Sequence, residues 1–304
     1  MVISSSTYQH RGVHRPIPPH AYFVGSAVFH YLGPAFAVLL FASVQPLGVA
    51  WLRIATAAAI FALWRRPWRT VAAMAPSTRR TIVAWGAVLA IMNSVFYLAI
   101  DRLPLGTVAA IEFLPVIALA AVAARTGRNG IALGSAVVGV YLLTDVAFVA
   151  DPVGLAFAAA NAVLFAAYIV LAHRVASDDA IAGIDGLGLA MIVAAALSLP
   201  IGVADAAPAF ADPMLLVAAV GVGVSSSVIP YVCDQLAMAR LARTTYSLMV
   251  SLLPATATVI GIVVLAQVPT LVEVAGVALV IAGVALHRER DVGRDGSPDE
   301  LATT

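Results

Sequence analysis

Two charged residues sit deep inside stretches that are otherwise apolar, away from their ends: Arg53, within residues 47–64, and Glu112, within residues 105–124. At the centre of a membrane-spanning helix, Arg or Asp costs about 2.5 to 3.5 kcal/mol even on a lenient insertion scale, so an intramembrane charge needs a reason. At about 1.5 Å per residue, Arg53 lies roughly 9 Å from the start of its stretch and Glu112 roughly 10 Å from the start of its own. If both stretches start at the same membrane face, the two charges share a level. They could then pair as a tie between helices. They could also take the carboxylate and the ammonium of a zwitterion, since Arg suits a bidentate carboxylate contact. Glu112 is in addition a candidate proton carrier.

Other polar side chains fall in comparable positions. Asn93 and Tyr97 are one helical turn apart and share a face, while Asn161 and Tyr168 are seven residues apart and nearly do. Tyr231 sits in a later apolar stretch beside Pro230. Together with Arg53 and Glu112 these five are candidate contacts for a small-molecule substrate, although Asn and Tyr can equally join helices by hydrogen bonds. His30, next to Tyr31 and a Gly33-Pro34 break, and Asp234, a turn or two before Arg240, are candidate proton or gate residues. Ser225, Ser226 and Ser227 follow Gly221 and Gly223 and read as a small-residue stretch suited to close helix approach.

What must position these residues is a set of helices in a bilayer. The composition is 62% hydrophobic and 11% charged, against roughly 25% charged in soluble domains. Ten stretches are apolar and long enough to cross hydrocarbon: 21–42, 47–64, 81–100, 105–124, 130–147, 153–172, 184–203, 214–233, 244–266 and 270–287. The expected fold is an all-α integral membrane protein of ten transmembrane helices. The N-terminal run is longer than a signal-peptide core and has no evident small-residue cleavage site, so it is expected to be a retained first helix.

Arginine orients the helices. Fifteen of the seventeen basic residues fall in the tails and alternate connections: Arg11, Arg15, Arg65, Arg66, Arg69, Arg79, Arg80, Arg125, Arg128, Arg174, Arg240, Arg243, Arg288, Arg290 and Arg294. The opposite connections hold Arg102 alone as a basic residue, with Asp101, Asp151, Asp205 and Asp212, and Asp145 stands at the same end of the fifth stretch. The positive-inside rule then puts both termini in the cytoplasm of a cell whose inner membrane holds the chain. The net charge of +1 reflects this segregation and gives no reason to expect nucleic-acid binding.

The two halves of the chain carry related patterns. Asn93-Ser94-Val95-Phe96-Tyr97 parallels Ser227-Val228-Ile229-Pro230-Tyr231, Arg102-Leu103 parallels Arg240-Leu241, and Phe113-Leu114-Pro115 parallels Leu252-Leu253-Pro254. A five-helix unit repeated once accounts for ten spans. Five being odd, the second copy must run the opposite way, giving two inverted five-helix repeats, residues 21–147 and 153–287. Residues 1–20 are then a cytoplasmic N-terminal tail, and 288–304, charged and containing Gly, Ser and Pro, a disordered cytoplasmic tail.

Several chemistries are disfavoured. The chain has no lysine, which removes a Walker A loop, a retinal Schiff base and pyridoxal chemistry, so no cofactor is expected. The single cysteine, Cys233, excludes an intrachain disulfide and any multi-cysteine metal site, and no metal is expected. No nucleophile, base and acid stand at a recognisable offset, so the chain is not expected to be an enzyme.

The order Pro46-Leu47-Gly48-Val49 with Leu52-Arg53, then Met92-Asn93 with Phe96-Tyr97-Leu98, then Leu103-Pro104-Leu105-Gly106 with Glu112-Phe113, resembles the EamA-type branch of the drug/metabolite transporter superfamily. Within it the similarity is to the threonine/homoserine exporters. It continues through Ala166-Ala167-Tyr168-Ile169, Pro230-Tyr231 and Ala239-Arg240-Leu241, covering nearly all of residues 21–287. The resemblance implies helices one to four and six to nine around a central cavity, five and ten at the periphery, and export of small amino-acid-like metabolites. The chain departs from the exporters at Leu253, where they usually place Glu before the proline, and at Leu114, which stands alone where they have two residues including a Gly. The expected function is thus secondary export of amino acids or related metabolites across the inner membrane, with protons as a candidate coupling partner. A structural or lipid-handling membrane protein is the alternative, and a membrane enzyme a more distant one.

Overall fold

The structure is a computed structural model that describes residues 19–123, 126–176, 183–238 and 253–286. Among them every element is helical. Helices α1 (Pro19–Leu40), α2 (Pro46–Arg65), α3 (Pro76–Ile100), α4 (Leu105–Ala123), α5 (Gly127–Ala150), α6 (Pro152–Ala176) and α7 (Gly183–Asp205) coincide with the first seven apolar stretches. A short α8 (Ala207–Ala211) leads to α9 (Pro213–Gly223), a π-helical turn (Val224–Val228) and α10 (Ile229–Met238), which together cover the eighth apolar stretch, hereafter span eight. Helices α11 (Leu253–Leu265) and α12 (Leu271–Leu286) lie within the ninth and tenth apolar stretches. Arg240, Arg243, the first part of span nine and both tails lie outside the described residues.

Proline starts many of these helices because its fixed φ and missing N–H cost nothing at the first helical position. It opens α2, α3, α6 and α9. Side chains cap several ends: Asp212 accepts from the Met214 N–H at 2.8 Å, Asp151 from Gly154 N–H at 2.8 Å, and Thr270 and Glu273 close a reciprocal capping box at α12. Among the described residues five helices are long and apolar enough to cross a membrane, and five further apolar helices are shorter. Large apolar side chains such as Leu63 and Val263 are 78% and 77% exposed. In a chain of this composition that outward apolar surface is the one that meets lipid.

The packing interleaves the first and second halves of the chain. Helix α2 lies on α7, α3 on α6 and α7, α4 on α6 and α11, α5 on α12, and α1 on α9, α10 and α11. The α2–α7 register is set at both ends. Arg65 clasps Asp185 at 2.8 and 3.3 Å at one, the Trp51 indole N–H donates to the Ala195 carbonyl at 3.1 Å, and Gly48 abuts the Asp205–Ala206 backbone at the other. Helices α5 and α12 meet glycine to glycine. A Cβ on Gly139 would lie 2.6 Å from the Gly276 carbonyl oxygen, and one on Gly276 would lie 2.9 Å from that of Gly139.

The buried apolar residues form two clusters. One contains Val44, Leu52, Phe96, Ile100 and Leu105, and the other Ile54, Phe61, Trp85, Met92, Leu187 and Met191. The boundary between them falls at Arg53 on α2 and at Asn93 on α3. On these two helices the polar side chains stand between the two apolar clusters, while Glu112 and Asn161 lie among residues of the first.

Candidate functional site

Arg53 is only 7% exposed and is held on three sides. Its Nε donates to the Ser227 hydroxyl at 2.8 Å, its Nη2 donates to the Ser226 carbonyl at 3.0 Å, and the guanidinium carbon stands 5.5 Å from the centroid of the Tyr97 ring. Such a cation–π contact adds of order 1 to 2 kcal/mol when desolvated. The local backbone explains the first two bonds. In an α-helix the Ser226 carbonyl would accept from the N–H of residue 230, and Pro230 has none. That carbonyl is free for a side-chain donor from α2.

Close backbone contact brings α1 and α2 to the same turn. A Cβ on Gly33 would sit 2.6 Å from the Ser226 nitrogen, and one on Gly223 would sit 2.6 Å from Cβ of Thr56. Both positions need glycine for that approach. Ser26 adds a bond from its hydroxyl to the Pro230 carbonyl at 3.3 Å.

Glu112, 6% exposed, is buried on α4 between Ile111 and Phe113 of the first cluster and within electrostatic range of Arg53, and it makes the second part of the polar layer. Its Oε1 accepts from the Asn161 amide at 3.0 Å. Asn161 is fully buried, and its own Oδ1 has no partner. The hydroxyl of Tyr31, 1% exposed, is likewise unpartnered and lies within electrostatic range of the Glu112 carboxyl. The Tyr97 hydroxyl lies close to Arg53 and Ser226 without a well-formed hydrogen bond. Leaving a buried polar group unsatisfied costs about 1 to 3 kcal/mol, and three such groups gather around one Arg and one Glu. The arrangement offers a ligand two donors, an acceptor, a cation and a carboxyl.

The structure thus brings Arg53 to Tyr97 and Glu112 to Asn161. It does not join the two charges directly. Among the described residues the ion pairs are Arg65–Asp185 and Arg102–Asp151, not Arg53–Glu112, because Arg53 is turned toward span eight by the carbonyl that Pro230 leaves free. Asn93 is buried but donates to the Leu89 carbonyl of its own helix at 2.8 Å. Tyr168 stacks on Phe165 and tilts against Trp85, and Tyr231 packs on the apolar cluster around Trp85 and Met191. His30 lies edge-on to Tyr31, ring centroids 5.2 Å apart. The Asp234 side chain lies outside the described residues. No group of metal-ligating side chains occurs among the described residues.

Sequence reasoning overlooked Ser226, Ser227 and Tyr31 as members of this layer. Their types are unremarkable in a membrane helix, and the available signal was Pro230 standing four residues after Ser226.

A helical membrane bundle with a buried, incompletely satisfied polar layer at its centre has the architecture of a transporter. This chain belongs to the EamA-like transporter family, whose sequence signature matches residues 152–288. It is 30% identical over 254 residues to the threonine/homoserine exporter RhtA of Salmonella typhimurium (strain SL1344), spanning 82% of this chain and 84% of that protein. It is 29% identical, with the same coverage, to the threonine/homoserine exporter RhtA of Escherichia coli (strain K12). A protein of known crystal structure superposes with a TM-score of 0.56 over 89% of this chain and 96% of its own, at 17% identity, a likeness of fold.

Proposed function

We propose that this protein is a secondary exporter of small amino acids or closely related metabolites, moving them out of the cytoplasm across the inner membrane in exchange for a proton. The observation that carries the reading is the polar layer itself. Arg53 is suited to a substrate carboxylate, while the Glu112 carboxyl and the unpartnered Asn161 oxygen suit an ammonium or hydroxyl donor. Tyr31 and Tyr97 bring further hydroxyls to the same level. The exporters to which the chain is similar support the amino-acid class. Threonine and homoserine are zwitterions with an extra hydroxyl, which matches the donor and acceptor surplus of the layer.

Ten spans in two inverted repeats, residues 21–147 and 153–287, are part of this reading. Exchanging each span for the one five places on turns the α3–α6 contact into that of span eight with α1. It likewise turns α4–α6 into α11–α1 and α3–α7 into span eight with α2, and it returns α2–α7, α4–α11 and α5–α12 to themselves. Each of these six image pairs is in contact. Such a pseudo-two-fold lets one site open to alternate sides. The arginine-rich connections, including the α2–α3 connection with Arg65, Arg66, Arg69, Arg79 and Arg80, then face the cytoplasm.

The test is efflux from proteoliposomes loaded with labelled amino acids. Threonine and homoserine are expected to leave faster than from protein-free vesicles, with efflux quickened by an inwardly directed proton gradient. Indifference to every amino acid of the panel would overturn the reading.

A further inference from the structure

Arg53 presents the edge of its guanidinium that carries Nε and Nη2, the edge a carboxylate grips side-on with both oxygens. In the structure that edge is filled by two oxygens of the chain itself: the Ser227 hydroxyl at 2.8 Å on Nε and the Ser226 carbonyl at 3.0 Å on Nη2. They come from adjacent residues of the π-helical turn, so they stand where the two oxygens of one carboxylate would stand. Neither bond is incidental to the local fold. The carbonyl is available because Pro230 supplies no N–H, and Ser226 is buttressed through Gly33 of α1.

We propose that the Ser226–Ser227 pair is an internal surrogate for the substrate carboxylate, and that Ser227 and Pro230 are positioning residues that couple binding to movement of span eight. This rests on the reading of Arg53 as the carboxylate site. A substrate carboxylate that takes the Nε/Nη2 edge displaces Ser227 and Ser226. The displaced Ser226 carbonyl has no donor at position 230 to return to, so the turn must rearrange to satisfy it. Because a π-helical turn already holds one residue more than an α-helical turn, a change of register there is a small step. Gly33 and Gly223 transmit it to α1 and α2, the helices packed on that turn. Empty protein keeps Arg53 satisfied and span eight latched; loaded protein releases the latch.

The surrogate competes with substrate, so weakening it must tighten binding while slowing the cycle. A residue that merely braces the site would do the reverse. Binding of L-threonine and of L-threoninol, which has CH2OH in place of the carboxylate, is measured on the purified full chain, with efflux measured in proteoliposomes. Ser227→Ala is expected to bind threonine about fivefold to tenfold tighter, to bind threoninol as the wild type does, and to export threonine more slowly. Pro230→Ala, which restores an N–H to compete for the Ser226 carbonyl, is expected to shift threonine binding the same way. It serves as the second variant if Ser227→Ala folds poorly. Weaker threonine binding in both variants, or equal shifts for threonine and threoninol, would overturn the surrogate. A wild-type protein that binds threoninol and threonine equally would instead overturn Arg53 as the carboxylate site.

Discussion

Neutralising Glu112 without changing its shape separates its roles. Glu112→Gln keeps the acceptor for Asn161 but removes the titratable proton. The expected outcome is at least a hundredfold fall in proton-driven efflux, with a melting temperature in detergent near that of the wild type. Wild-type efflux by this variant would retire Glu112 as the proton carrier. A related expectation follows from Leu253, which cannot titrate: at most one proton is exchanged per substrate, and a measured proton-to-substrate flux ratio near two would contradict it. Arg53 and Glu112 were legible in the sequence because a charge within an apolar stretch is costly enough to stand out. Ser226, Ser227 and Tyr31 were not, since hydroxyl residues are common in membrane helices. Their membership depends on a backbone carbonyl and on helix contacts that no local pattern encodes.

At the scale of elements, segment lengths were readable from apolar runs, and the starts from prolines at first helical positions. The π-helical turn in span eight was not, because periodicity over a long apolar stretch cannot register one extra residue in a turn. The α5–α12 seam gives a prediction that leaves the polar layer alone. Gly276→Leu drives a side chain into the Gly139 carbonyl and Leu143. We expect destabilisation of about 1 to 3 kcal/mol, seen as a lower melting temperature, while the surviving folded protein still binds threonine. At the α5–α6 joint, the Gly154 N–H and the Arg102 guanidinium hold Asp151 below the usual carboxylate range. A depressed native value means that this stabilisation is present above the unfolded value near about 4 and is lost as pH falls below it. Replacing Asp151 by Asn should therefore flatten the melting temperature's dependence on pH on the acid side, and leave it unchanged near neutrality apart from a constant offset.

For the whole molecule, the arginine distribution predicts topology, and cysteine accessibility checks it. In a Cys233→Ser background, Ala207→Cys, on the exposed α8, should react with an impermeant thiol reagent added outside intact cells. Ser77→Cys, exposed at the start of α3, should react only after the membrane is permeabilised. The opposite result would invert the orientation and the direction assigned to transport.

The pairing of helices also bears on how the chain comes to be made. Helices α1 to α5 emerge first, yet the main partners of α1, α2, α3 and α5 are all drawn from α6 to α12. A nascent first half therefore waits in the bilayer with Arg53 lacking Ser226 and Ser227, Glu112 lacking Asn161, and Gly139 facing no opposing glycine. Single helices are stable in lipid, so the half-made chain persists, but its polar groups are exposed to hydrocarbon and to quality control until synthesis ends. Residues 1–150 produced alone should be degraded, and supplying residues 151–304 from a second gene should rescue them. The polar layer that serves transport in the finished protein is, during biosynthesis, the signal that the protein is unfinished.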